Sequence, residues 1–360
     1  MTDTTSTSSD ISSSGADKRA RNRFYIRLWL YFICVLIFAM ILVGGATRLT
    51  DSGLSITEWL PLLGAIPPIT EADWLVVFEK YKLIPEYSEI NKDMSLAEFK
   101  FIYWWEWAHR FLGRFIGVAF FLPLVWFWVT KRIEPGLKPK LVVIFLLGAF
   151  QGGIGWWMVA SGLVERVDVS QYRLATHLIV ACFIFIACQW VALGLSDSAW
   201  SPRHVPLLRY GAGLVLVLVV VQIYLGALVA GLHAGLTYNT WPLMDGDLIP
   251  GGMGSLEPGW RNLFENITTV QFVHRTAAYL VFIAALWHLW TVVRNAPRSR
   301  MAASVKMLVT VILVQVGLGI WTLLAVVPIS LALIHQGGAV VVMAVAVWNL
   351  HRGGRRLVEG

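Results

Sequence analysis

Eight runs of about twenty apolar residues divide this 360-residue chain, and no other feature limits its fold so sharply. They lie near residues 28–47, 104–128, 141–161, 174–194, 210–231, 271–292, 305–326 and 331–351. A helix of that length spans the hydrocarbon of a bilayer. Helix is the expected form, because a lone strand in lipid leaves its backbone groups unpaired. Composition agrees: 57% of the residues are hydrophobic and 14% charged, against about 25% charged in soluble domains. The expectation is an all-α polytopic protein with the lipid bilayer as its solvent. A very short turn at Val327 and Pro328 joins the last two spans.

The net charge of +7 does not point to nucleic acid, because the basic residues cluster in short segments between apolar spans. Those segments carry Lys18, Arg19, Arg21, Arg23 and Arg27; Lys131, Arg132, Lys138 and Lys140; Arg203 and Arg209; Arg294, Arg298, Arg300 and Lys306; and Arg352, Arg355 and Arg356. With eight spans, all five fall on one side, which predicts that both termini are cytoplasmic. The opposite loops are longer, and the first is acidic, with Asp51, Glu58, Glu71, Asp73, Glu79, Glu86, Glu89 and Asp93. Residues 1–27 read as a disordered cytoplasmic tail; its Ser/Thr-rich start has no apolar run and is no signal peptide. Asp3, Asp10 and Asp17, with no arginine before Arg19, argue against a mitochondrial transit peptide. Cys34, Cys182 and Cys188 all lie within apolar spans and read as small core residues, not a disulfide framework.

The second half of the chain echoes the first. Gly53-Leu54-Ser55 followed by Trp59 returns as Gly235-Leu236-Thr237 followed by Trp241. Glu106-x-x-His109-Arg110 returns as Gln271-x-x-His274-Arg275, and Gln151, Gly153, Gly155 and Trp157 as Gln315, Gly317, Gly319 and Trp321. His177 in span 4 answers to His335 in span 8. Two tandem pseudo-symmetric four-helix bundles are therefore expected, residues 28–195 and 196–360, related by an axis along the membrane normal.

His109, His177, His274 and His335 all lie on even-numbered spans, roughly a turn from the same membrane face. Polar side chains in hydrocarbon are costly and turn toward the bundle interior. A neutral imidazole offers a lone pair to a metal, and heme iron takes such ligands axially. Two histidines facing across a bundle could clamp one porphyrin, pairing His109 with His177 and His274 with His335. The competing role is interhelical hydrogen bonding, which four repeated positions at one depth make less attractive. Zinc lacks a tetrahedral ligand set in both halves. Gly152, Gly153, Gly155, Gly317 and Gly319 could leave room for a flat macrocycle or simply let helices pack closely. Arg110 and Arg275 could meet heme propionates or snorkel to the headgroups. His204, His233, His288 and His351 lack repeat partners and stay outside the metal set, although His233 could touch a ligand's edge.

The halves differ where Glu106 faces the neutral Gln271. Glu106 shares a helix face with His109 and could move protons or stabilise positive charge. Its other role is pairing with Arg110 at the water boundary. On the first reading, the first half is reactive and the second holds a permanent electron-transfer heme.

Gly44-Gly45-Ala46-Thr47-Arg48-Leu49-Thr50 leading to Ser52-Gly53-Leu54, Glu106-x-x-His109-Arg110 and Gly152-Gly153-x-Gly155 resemble the heme A synthase family. Gly235-Leu236, Asn239-Thr240-Trp241-Pro242 and Val273-His274-Arg275 extend the resemblance, which runs from about residue 28 to 351. The first outer loop lacks the cysteine pair of one branch, so the chain looks like the proteobacterial and mitochondrial branch. The resemblance implies oxidation of a heme O methyl group to a formyl group with oxygen from water, giving heme A for a terminal oxidase. It implies that His109 and His177 bind heme O, that Glu106 assists the chemistry, and that His274 and His335 ligate heme B as cofactor. Heme O synthase is the implied upstream partner, a homo-oligomer is compatible, and a bacterial inner membrane is the implied location. The alternatives are a bis-histidine b-type cytochrome serving only quinol electron transfer, and an inverted-repeat transporter, which the parallel repeat opposes.

Overall fold

The computed structural model describes residues 6–60, 63–164, 166–196 and 206–353, with side chains from Gly15 onward. Among these residues the protein is helical, with an isolated bridge between Met244 and Asp247 and no strand. The helices are α1 (Ser6–Leu49), α2 (Glu71–Tyr81), α3 (Pro85–Glu89), α4 (Leu96–Val129), α5 (Lys138–Val159) and α6 (Gln171–Gly194). They continue with α7 (Pro206–Gly231), α8 (Asn262–Glu265), α9 (Ile267–Asn295), α10 (Arg300–Leu324) and α11 (Ile329–Gly353). Eight of them, α1, α4, α5, α6, α7, α9, α10 and α11, are long and apolar enough to cross a membrane. They correspond one for one to the expected spans.

Two differences have clear local causes. The sequence reading leaves 1–27 as a disordered tail, but α1 already begins at Ser6 and runs straight into the first span. Arg23 grips Glu134 with two hydrogen bonds of 2.6 and 2.9 Å, tying this extension to the α4–α5 connection. The second span likewise starts at Leu96 instead of 104. Ser95 accepts from the Glu98 amide while the Glu98 carboxylate accepts from the Ser95 amide, a capping box that satisfies exposed helix-end donors. His109 therefore lies about three and a half turns into α4, whereas His177, His274 and His335 lie about two turns from the starts of α6, α9 and α11.

The packing follows the apolar pattern. Helix α1 contacts α4 and α6, and α5 contacts α4 and α6; α7 contacts α9 and α11, and α10 contacts α9 and α11. Helices α6 and α11 meet α7 and α1 across the middle of the molecule. One continuous core joins Leu30, Ile33, Leu141, Cys188, Val215, Leu308 and Met343. Polar ties cross it: Gln336 Nε2 donates to the Ile41 carbonyl (2.8 Å) and Gln189 Nε2 to the Ala344 carbonyl (2.8 Å). In an apolar surrounding such bonds have no competing water, so they fix helix register. Val35, Leu122, Val217, Ile283 and Trp321 stay exposed on the helix flanks, as suits contact with lipid tails. All three cysteines are free and buried, as expected.

The first long loop is more than a solvated acidic strap. Thr70 and Asp73 form a capping box that starts α2. Trp74, Phe78 and Tyr81 of α2 then pack on Phe99, Ile102 and Tyr103 of the α4 extension. Glu86 on α3 is buried within this cap, where it accepts from the Tyr81 hydroxyl (3.3 Å). Burial lifts its carboxyl to about 8, nearby Glu106 adds to the rise, and the Tyr81 bond opposes it. An unfolded glutamate titrates near pH 4.3. The folded cap thus holds an extra proton between those values. Its stabilisation is complete below the unfolded pKa and is lost as pH rises through about 8. Proteolysis of this loop is expected to quicken from mildly acidic to mildly alkaline pH. Glu86→Gln should flatten that dependence; an unaltered profile in the variant would show that another group controls it.

Candidate functional site

Each of the four paired histidines is set against a glycine on the neighbouring helix. A methyl group on Gly44 of α1 would lie 3.4 Å from His109 Nε2. One on Gly155 of α5 would lie 3.1 Å from His177 Cε1. The same holds for Gly226 of α7 against His274 (3.2 Å) and Gly319 of α10 against His335 (2.8 Å). The glycines let the backbone come up to the imidazoles, so at Gly155 and Gly319 the structure shows close helix packing, one of the two roles open in the sequence. Gly152, Gly153 and Gly317 have no such neighbour within 4 Å.

The imidazoles of His109 and His177 lie edge to face, with ring centres 6.5 Å apart and planes at 78°. Two imidazoles ligating one iron from opposite faces need ring centres about 6 Å apart, given metal–nitrogen bonds of about 2 Å. The donor set is therefore suited to an axially ligated heme. Three of the histidines are also buttressed by glutamine. Gln151 Nε2 donates to the His177 carbonyl (2.9 Å) and lies 3.1 Å from its Nδ1. Gln222 does the same for His274 (3.0 and 3.2 Å), and Gln315 for His335 (2.8 and 3.1 Å). The Oε1 atoms of all three amides are buried without a donor. The repeat singles out Gln151 and Gln315; Gln222 lies outside the matched motifs, and its signal is the shared place four residues before a histidine-facing glycine.

Glu106 is 2% exposed and makes four hydrogen bonds. Its Oε1 accepts from Arg110 Nε (3.0 Å) and Nη2 (2.5 Å). Its Oε2 accepts from Ser55 Oγ (2.8 Å) and the Ile56 amide (2.7 Å). A carboxylate has about four lone-pair sites, so this one is filled. Arg110 completes its shell on the Ile56 and Glu58 carbonyls (2.7 and 2.9 Å). Arg275 makes the matching contacts with Tyr238 (2.6 Å) and Thr240 (2.9 Å), and Gln271 Nε2 reaches the Tyr238 carbonyl (3.2 Å). Both arginines thus fasten a loop to the helix of a paired histidine. Arg110 divides its N–H groups between Glu106 and the loop carbonyls, and Arg275 gives two to the loop while its Nε is buried without a partner. The pairing of Glu106 with Arg110, one of its two sequence readings, is present.

The other histidines have separate explanations. His288 is fully buried and bonded through Nε2 to Asn349 Oδ1 (2.9 Å), while Asn349 Nδ2 donates to Ser304 Oγ (2.8 Å). His351 stacks edge-on with Trp190. His204 lies outside the described residues. His233 accepts from Arg48 and lies 3.1 Å from Asp168, joining the end of α1 to the loop after α7. Asp51, Asp168 and His233 come close enough to share a cation. The Arg48 guanidinium already supplies positive charge there, 2.9 Å from Asp51 and 3.3 Å from Asp168.

Fold and site together define a polytopic helical membrane protein with repeated, glycine-backed histidines set between its helices. Residues 27–347 match the family described as cytochrome oxidase assembly protein, and the chain belongs to that family. It is 57% identical over 339 residues to the heme A synthase of Chelativorans sp. (strain BNC1), covering 94% of each chain. It is 55% identical to the heme A synthase of Mesorhizobium japonicum, over 94% of this chain and 93% of the relative. Identity to that of Agrobacterium fabrum is 54%, over 92% of each. The resemblance read from the motifs is borne out.

Proposed function

We propose that this protein oxidises a methyl group of heme O to the formyl group of heme A. The observation that carries the reading is the 6.5 Å separation of the His109 and His177 rings, close to that of two imidazoles on one iron, in a chain closely similar to heme A synthases. In this reading residues 28–195 bind substrate. His109 and His177 take the iron of heme O, and Gly44 and Gly155 give their rings clearance. The methyl group gains a hydroxyl from water as two electrons and two protons leave. A second such step gives the hydrated aldehyde, which loses water. Glu106 is a buried negative charge, fixed in place by Arg110, Ser55 and Ile56, that favours positive charge developing on the substrate's substituent. With its lone pairs filled, it suits electrostatic support better than proton removal.

His274 and His335 in residues 196–360 suit heme B, which when bound supplies one-electron transfer. Gln222 and Gln315 orient these two ligands. Arg110 and Arg275 fasten the loops beside the histidines, from where they would meet heme propionates. The basic segments support a bacterial inner membrane location with both termini cytoplasmic. Heme O synthase would supply the substrate.

Expression in a host lacking heme A, with and without a heme O synthase, tests the reading. Extracted heme should contain heme A when heme O is supplied. A b-type electron carrier would give heme B alone in both cultures, and that result would overturn the assignment.

A further inference from the structure

The buttressing of the four histidines is uneven. Glutamine amides hold His177, His274 and His335 through both the ring and the backbone carbonyl, within a narrow range of distances. No hydrogen bond among the described residues reaches the His109 ring; its neighbours are the Gly44 backbone and the His177 ring. The repeat identifies the missing group. Gln222 stands four residues before Gly226, the glycine that faces His274. The residue four before Gly44, the glycine that faces His109, is Met40. Met40 lies against the next turn of α4, its Cε 3.0 Å from where a methyl on Gly113 would be. A thioether is flexible and a weak acceptor, and it cannot donate to the His109 carbonyl or fix the ring.

We propose that Met40, standing where the other three positions have glutamine, makes His109 the releasable axial ligand. The inference rests on the reading that each histidine pair holds a heme. A resident cofactor benefits from two oriented ligands. A substrate must enter and its product must leave, and one unanchored imidazole lowers the barrier to opening that iron site. His177 stays fixed by Gln151 and keeps the macrocycle located while His109 swings away. Met40 is thus a positioning residue that acts through His109.

Carbon monoxide binding to the reduced, heme-loaded protein tests this, because carbon monoxide needs a vacated axial position. Wild-type protein should show a fast-binding fraction from the first site and a slow fraction from the second. Met40→Gln should slow the fast fraction about tenfold or more, the size of effect that outer-shell partners have on ligand retention. It should slow transfer of first-site heme to apomyoglobin to a similar degree. Gln222→Met makes the reciprocal test, and should speed binding at the second site about tenfold. It also serves if Met40→Gln fails to fold. Unchanged rates in a variant that keeps its full Soret absorbance would overturn the inference while leaving the heme reading intact. Wild-type protein without a Soret band would remove both.

Discussion

His274→Ala protein is expected to come from the membrane with roughly half the heme of the wild type, the missing part being heme B. The side chain is one of two proposed axial ligands in the second half, and Gln222 and Gly226 hold it in place from the neighbouring helix. A lost imidazole leaves the iron with His335 alone, and the polar Gln222 amide then faces a cavity. The first pair, on α4 and α6, should keep its absorbance. Pyridine hemochrome analysis of purified protein reads both quantities. Full heme B content in the variant would remove His274 from the ligand set.

Glu106→Ala should do the opposite, leaving heme content near normal and reducing heme A formation by about two to three orders of magnitude. Some of that loss would be structural. Arg110, with 14% of its side chain exposed, would lose its charge partner and keep only the Ile56 and Glu58 carbonyls, at a cost of up to about 3–5 kcal/mol. Glu106→Gln separates the two contributions. Gln271 shows that an amide is accepted at the equivalent place and can still reach the loop backbone. If the negative charge matters, Glu106→Gln will fold, bind heme and remain slow. Near wild-type conversion by that variant would reduce Glu106 to a fastener of the 52–58 loop.

The membrane helices were legible because lipid admits so few solutions: an apolar run of sufficient length has to be a helix. The repeat then made His109, His177, His274 and His335 stand out from the other histidines. His288 shows the limit of that method. Its partners, Asn349 and Ser304, sit on α11 and α10, and no local pattern announces them. The α4 extension was written in the chain as Ser95-Leu96-Ala97-Glu98, but a search by hydropathy passes over a capping box among charged residues. The roles of Arg110 and Arg275 were out of reach for another reason. Their partners are backbone carbonyls, which every residue has, so only the fold-back of residues 56–58 and 238–240 selects them.

Those two arginines have one more effect. Each directly follows a paired histidine, and each is fastened to corresponding carbonyls of the loop on the same face of the molecule. On the proposed ligation, irons held by His109 with His177 and by His274 with His335 would stand at a similar depth. Moving a charge across the whole membrane against 100 mV involves about 2.3 kcal/mol. An electron passed sideways between irons at one height crosses almost none of that potential, so such transfer would run equally well in energised and de-energised cells.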